Sequence, residues 1–266
     1  TYYSPVSTTR ELGGTMVYTN LIVYNPNSAA INVDPTCMTG TTGCPASQVI
    51  NPYQSVIIQL PLSPTSPNTL TGVKLKSRGD ENFNAIATID INGVIHNWGF
   101  DMVPEASLTP SAIVGWSPGT TNLQRDASPV WVTPVRDTTL YIDYDGDPNT
   151  GLLSENVTIS GIPTTIHYDV KRAATALQAI KLFSPGPAGS YDHTGWRIFT
   201  VDDTRLALAW GQDGYSSSNN QPTELDLGTT VPPYPSLVAY KSALLVGDFN
   251  NNGGIDPGDM IEYTIR

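Results

Sequence analysis

This 266-residue chain is poor in charge, histidine, cysteine and helix-forming runs, and each shortage removes a class of function. Only 14% of residues are charged, with 13 Lys and Arg against 24 Asp and Glu, for a formal net charge of −11. A surface this acidic repels phosphate backbones and anionic lipid and attracts divalent cations, so nucleic acid is excluded as a partner. No run is long and apolar enough to cross a membrane as a helix. The three histidines, His96, His167 and His193, share no metalloprotease spacing, and no G-x-S-x-G elbow occurs. The adjacent carboxylates Asp202-Asp203 read as a hairpin turn rather than a glycosidase pair, and the separation of Glu224 and Asp226 cannot be read from spacing. With no catalytic constellation in view, the expectation is a protein that is not an enzyme.

Cysteine is equally scarce. Cys37 and Cys44 are the only two, and six small, flexible residues separate them. That spacing suits a local disulfide formed in an oxidising, extracellular compartment, whereas a zinc site would need further ligands and no histidine lies near. The start at Thr1 is expected of a processed product or an excised piece of something longer. The sequon Asn156-Val157-Thr158 permits glycosylation at Asn156.

What the chain does have is turn residues and strand formers. Gly (23), Pro (22) and abundant Thr, Ser and Asn punctuate short runs rich in Val, Ile, Thr and Tyr. Thr15 to Tyr24, Ser55 to Leu60, Gly72 to Ser77, Ala85 to Ile91, Val130 to Val135 and Thr138 to Tyr144 are predicted strands. So are Thr164 to Val170, Ala179 to Phe183, Arg197 to Val201, Arg205 to Trp210, Leu237 to Val246 and Met260 to Ile265. The stretch Lys171 to Leu177 is the sole helix candidate, and its apolar flanks argue for strand continuity. This pattern predicts an all-β protein of sandwich type. Val73-Lys74-Leu75-Lys76-Ser77 parallels Ile180-Lys181-Leu182-Phe183-Ser184, Trp98-Gly99-Phe100-Asp101 parallels Trp210-Gly211-Gln212-Asp213, and two acidic loops follow in the same order. These landmarks predict a diverged duplication giving two tandem β-sandwich domains, 1–136 and 137–266.

The acidic loops carry the chemistry. In Asp248-Phe-Asn-Asn-Asn-Gly-Gly-Ile-Asp-Pro-Gly-Asp259, side-chain oxygens stand at loop positions 1 (Asp248), 3 (Asn250), 5 (Asn252), 9 (Asp256) and 12 (Asp259). Gly253 holds position 6 and Gly254 offers a carbonyl at position 7, the ligand spacing of an EF-hand-type Ca2+ loop set between strands. Asp143, Asp145 and Asp147 fit positions 1, 3 and 5 of a second such loop, but Pro148 takes position 6. Arg78-Gly79-Asp80 is read as a turn after a strand. The five tryptophans could stack sugars, although Trp98 and Trp210, each beside glycine, fit packing better.

The segment Asp248 to Ile265 resembles the opening of the conserved-repeat β-sandwich domains of giant prokaryotic surface proteins. There, an Asp/Asn-Gly loop, Asp-Pro-Gly-Asp and a Tyr-Thr strand begin each repeat. The stretches Asn97 to Phe100, Val114 to Trp116, Pro129 to Thr133, Tyr141 to Asp147, Ala209 to Asp213 and Leu225 to Thr230 also look like a β-rich module of such secreted proteins. The resemblance implies a non-enzymatic, calcium-stabilised module of an extracellular cell-surface or filament protein. Its partners would be copies of itself or adjacent β-sandwich repeats. Met260 to Arg266 would be a strand donated to a neighbouring sheet. The alternative is an adhesin module that binds glycans through Trp116 or Trp196.

Overall fold

The structure is a computed structural model describing residues 1–6, 11–12, 15–60, 71–91, 97–117, 129–184, 192–211, 228–234, 241–249, 252–253 and 260–265. It is all-β, and the described strands form antiparallel sheets. Two compact units divide it, Thr1–Tyr234 and Pro235–Arg266. No helix among the described residues is long and apolar enough to cross a membrane.

In the larger unit, sheet I runs Val103–Pro104, Tyr2–Ser4, Val73–Ser77, Ile31–Cys37, Gln48–Ile50 from edge to edge. Sheet II runs Glu11–Leu12, Thr15–Tyr24, Asn84–Ile91, Trp98–Asp101, with Ser55–Gln59 also paired to Thr15–Tyr24. The alternation in Thr15–Tyr24 explains its place: Thr19, Leu21 and Val23 are buried, while Tyr24 faces out. The strand ends at buried Asn25, whose Nδ2 donates to the carbonyls of Ala29 (2.8 Å) and Ile50 (3.0 Å) and fixes the turn. Pro35 sits inside a strand because Gln48–Ile50 pairs only with residues 31–33, leaving the far edge beyond Val33 open to a residue without an N–H. Beyond that edge the expected Cys37–Cys44 disulfide is formed. It closes a short loop, so replacing both cysteines by alanine should lower unfolding free energy by about 2 kcal/mol, read by urea denaturation.

Sheet III runs Ser111–Ile113, Arg197–Phe199, Thr138–Asp143, Val170–Ala174, and sheet IV runs Ile180–Leu182, Val130–Pro134, Leu206–Gly211, Gly228–Thr230. Val130, Val132, Leu140, Ile142, Ile198 and Leu208 fill the space between them. Trp131 and Ala209 of sheet IV point the other way, into the core shared by sheets I and II. Sheet IV is therefore covered on both faces, which is why every residue of Val130–Pro134 and Leu206–Gly211 is buried. The indole of Trp98 lies against Gly211 and Gly228, where a Cβ at either position would enter the ring. Two sandwiches are thus locked into one body, and Trp98 is the packing residue its glycine neighbours suggest.

Sheet pairing crosses the division expected at residue 136, since Ser111–Ile113 pairs with Arg197–Phe199 and Val130–Pro134 with Leu206–Gly211. Ser111–Ile113 and Val130–Pro134 belong to the second sandwich. The repeated sequence landmarks also take unlike places. Val73–Ser77 is central in sheet I, whereas Ile180–Leu182 is an edge of sheet IV. A further hairpin, Leu153–Ile159 with Ile162–Tyr168, lies over the outer face of sheet III, packing Ile166 and Tyr168 on Tyr141 and Phe199.

The smaller unit is a two-stranded sheet, Lys241–Gly247 antiparallel to Met260–Ile265, with a register shift between Leu245 and Gly247. Residues 248–259 connect the two strands in sequence.

Candidate metal centre

Asp143 ends a strand whose alternate residues Leu140 and Ile142 face the core, so its own side chain projects to the outer face of sheet III beside Tyr141. The loop that follows is built from carboxylates accepting its own backbone N–H groups. Asp143 Oδ1 accepts from Asp145 (3.3 Å) and Gly146 (3.1 Å), and Asp145 Oδ1 accepts from Asp147 (2.9 Å). Asp145 Oδ2 takes the Thr150 hydroxyl (3.0 Å), and Asp147 Oδ1 takes the Asn149 N–H (3.0 Å). Asp169 grips both ends, accepting the N–H of Tyr144 (2.7 Å) and of Leu152 (3.1 Å). Gly146 has φ +71° and lies against the Gly195 backbone so closely that a Cβ would collide with its carbonyl oxygen. Glycine is required there on both counts.

Asp143 is 0% exposed, and its Oδ2 has no hydrogen-bond partner. Burial pushes this carboxyl up to about 6, helped by the Asp145 carboxylate within hydrogen-bonding reach. Asp145 is held below the usual range, first by the Asp147 N–H. Arg197, opposite Asp143 in register, does not form an ion pair with it; its guanidinium lies 4.2 Å from the centre of the Phe199 ring. Among the described residues no three His, Cys, Asp or Glu side chains converge as a ligand set.

In the C-terminal loop, Asp248 Oδ1 accepts from Asn252 N–H (3.3 Å) and Oδ2 from Gly253 N–H (2.7 Å). Gly253 has φ +77°, the backbone a sharp turn at position 6 needs. Asn250, Gly254, Asp256 and Asp259 lie outside the described residues, as do His96, Glu224 and Asp226.

Other sequence candidates find plainer roles. Arg78 is committed to a bidentate pair with Asp34 (2.8 and 2.9 Å), and Gly79 N–H is held by Glu81, so the Arg-Gly-Asp segment is a braced turn. Asp203 has φ +58° and Asp202 accepts from Thr204 N–H, as a turn requires. Four of the five tryptophans, Trp196 included, are buried; Trp116 alone is exposed, its ring edge-on to Trp210. Asn156 is exposed on the outer hairpin, accepting from the Thr165 hydroxyl at 2.8 Å.

One cluster was not foreseen. His193 is 2% exposed, with Nε2 accepting from Ser184 N–H (3.1 Å) and Nδ1 at 3.3 Å from Ser117 Oγ. The backbone donor fixes the tautomer, so Nδ1 carries the proton and donates to Ser117. With Ser117 wholly buried and Nε2 occupied, the pair joins distant loops instead of activating a nucleophile. Seventy-six residues separate the partners, beyond the reach of any local motif.

Comparison with protein-family models, with curated proteins and with solved structures found no match to this chain.

Proposed function

We propose that this chain is a non-enzymatic, calcium-stabilised structural module of an extracellular cell-surface or filament protein, which joins copies of itself through its C-terminal hairpin. The observation that carries this reading is that the described strands of the smaller unit form a sheet of only two strands. Lys241–Gly247 and Met260–Ile265 form a separate two-stranded unit that exposes Leu244, Val246 and Met260. Two strands alone are marginal in water; a third strand or a packed face is what makes such a unit stable. Met260–Ile265 already has one partner strand, so what the pair offers, among the described residues, is two strand edges without a further strand and apolar side chains, not a single unpaired strand. The doubly covered sheet IV and the Cys37–Cys44 staple suit a rigid, protease-resistant unit in an oxidising compartment.

Deleting residues 260–266 should abolish assembly, leaving monomers in electron micrographs under conditions where the intact chain forms linear arrays. Arrays of normal length from the truncated chain would discard this route.

A further inference from the structure

We propose that the 143–151 loop binds one hard divalent cation, calcium in preference to magnesium, first through the facing carboxylates of Asp143 and Asp145, and that the ion fastens the 153–168 hairpin to sheet III. This deepens the calcium element of the proposed function and is independent of assembly through the C-terminal unit.

A cluster of surface carboxylates would carry no such proposal. The difference is Asp143, which has no exposed surface and a carboxylate oxygen without a partner. Buried polar atoms are nearly always satisfied, and a buried carboxylate without compensation is strongly unfavourable. A second carboxylate, Asp145, stands within hydrogen-bonding reach; Arg197 across the strand acts on Asp143 electrostatically, but no cationic side chain among the described residues comes within ion-pair distance of either. A cation relieves the orphaned oxygen and the repulsion together. Asp147 is exposed and tied through Oδ1 to Asn149, and it does not converge with the other two. Two carboxylates completed by backbone carbonyls and water make an irregular oxygen shell, which calcium accepts and magnesium's strict octahedron does not.

The link to the hairpin follows from the chain path. The loop runs straight from the Thr138–Asp143 strand into Leu153–Ile159, and Asp169, just past the hairpin, holds both loop ends. The hairpin grips sheet III through Ile166 and Tyr168 and through Glu155. That carboxylate accepts from Tyr141 Oη (2.5 Å), Tyr168 Oη (3.1 Å) and Lys171 Nζ (2.7 Å). A two-stranded element with so small a footprint depends on its tether.

Amide hydrogen exchange on the intact chain, in about 10 mM calcium chloride and in chelator, tests this for wild type, Asp143→Asn and Asp248→Asn. At the affinity common for extracellular modules, calcium should slow exchange in residues 144–168 of the wild type about 10–100-fold. Asp143→Asn should fold without calcium at least as stably, because its amide donates to Asp145 where two carboxylates repelled, and should lose the calcium effect in 144–168. Asp248→Asn should keep it. The proposal is overturned if calcium leaves 144–168 unchanged in the wild type, or if Asp143→Asn responds as the wild type does. Protection confined to 241–265 would also overturn it, while leaving calcium at the C-terminal loop.

Discussion

Replacing Trp131 by alanine should cost about 3–5 kcal/mol of unfolding free energy, the range for removing a fully buried indole. Trp131 is 0% exposed and starts from sheet IV, yet it fills the core between sheets I and II, while Val130 and Val132 on the same strand fill the other core. Lys181 Nζ stands 4.9 Å from the ring centre and covers one face. The loss should therefore reach beyond one sandwich. A urea titration followed by circular dichroism should show a lower midpoint and a broadened or split transition, as the two sandwiches lose their shared anchor. Trp116→Ala, which removes an exposed ring, should change stability by no more than about 1 kcal/mol. Comparable losses for the two variants would mean that the sandwiches are not coupled through sheet IV.

Acidification should destabilise the protein through His193. Burial pushes its imidazole down to about 4 from an ordinary value of 6.5, with Asp192 opposing. Between those values the unfolded chain takes up a proton that the folded chain refuses. Stability from this group is therefore complete above pH 6.5, falls as pH drops, and is fully lost below about pH 4. A shift of this size corresponds to about 3 kcal/mol. Asp143 works in the opposite sense over much of the same range, because its raised pKa makes the folded chain the better proton binder. The histidine's share is isolated by the difference between wild type and His193→Gln. That difference should be largest near neutral pH and should shrink towards pH 4. A difference independent of pH would show that His193 is not held neutral.

Strand positions were legible where side chains alternate or β-branched residues cluster. Thr15–Tyr24 and Met260–Ile265 match the sequence expectation at both ends, and Val170–Ala174 is a strand, as its apolar flanks argued against a helix. Ile31–Cys37 was missed because Pro35 argues against a central strand, and only the shortness of its neighbour makes that proline acceptable. Leu153–Ile159 was missed because Ser154, Asn156 and Thr158 dilute its apolar residues, although their strict alternation is the mark of a half-covered strand.

Pairing between strands was harder to see than the strands themselves. Alternation places Asp143 on the same face as Tyr141, where a carboxylate should be solvated, yet it is fully buried; the hairpin packed on that face arrives from residues 153–168. Likewise Trp131 reads as an ordinary strand tryptophan, since nothing local reveals that sheet IV is covered twice. The disulfide was legible because its closure is local, and the His193–Ser117 contact was hidden because it is not.

The account depends most on the C-terminal hairpin needing another copy to complete its sheet. Sedimentation velocity of the intact chain in calcium, across a wide concentration range, tests this most directly. The account predicts a series of growing linear species that residues 260–266 are required to form; a single monomer boundary at every concentration would contradict it.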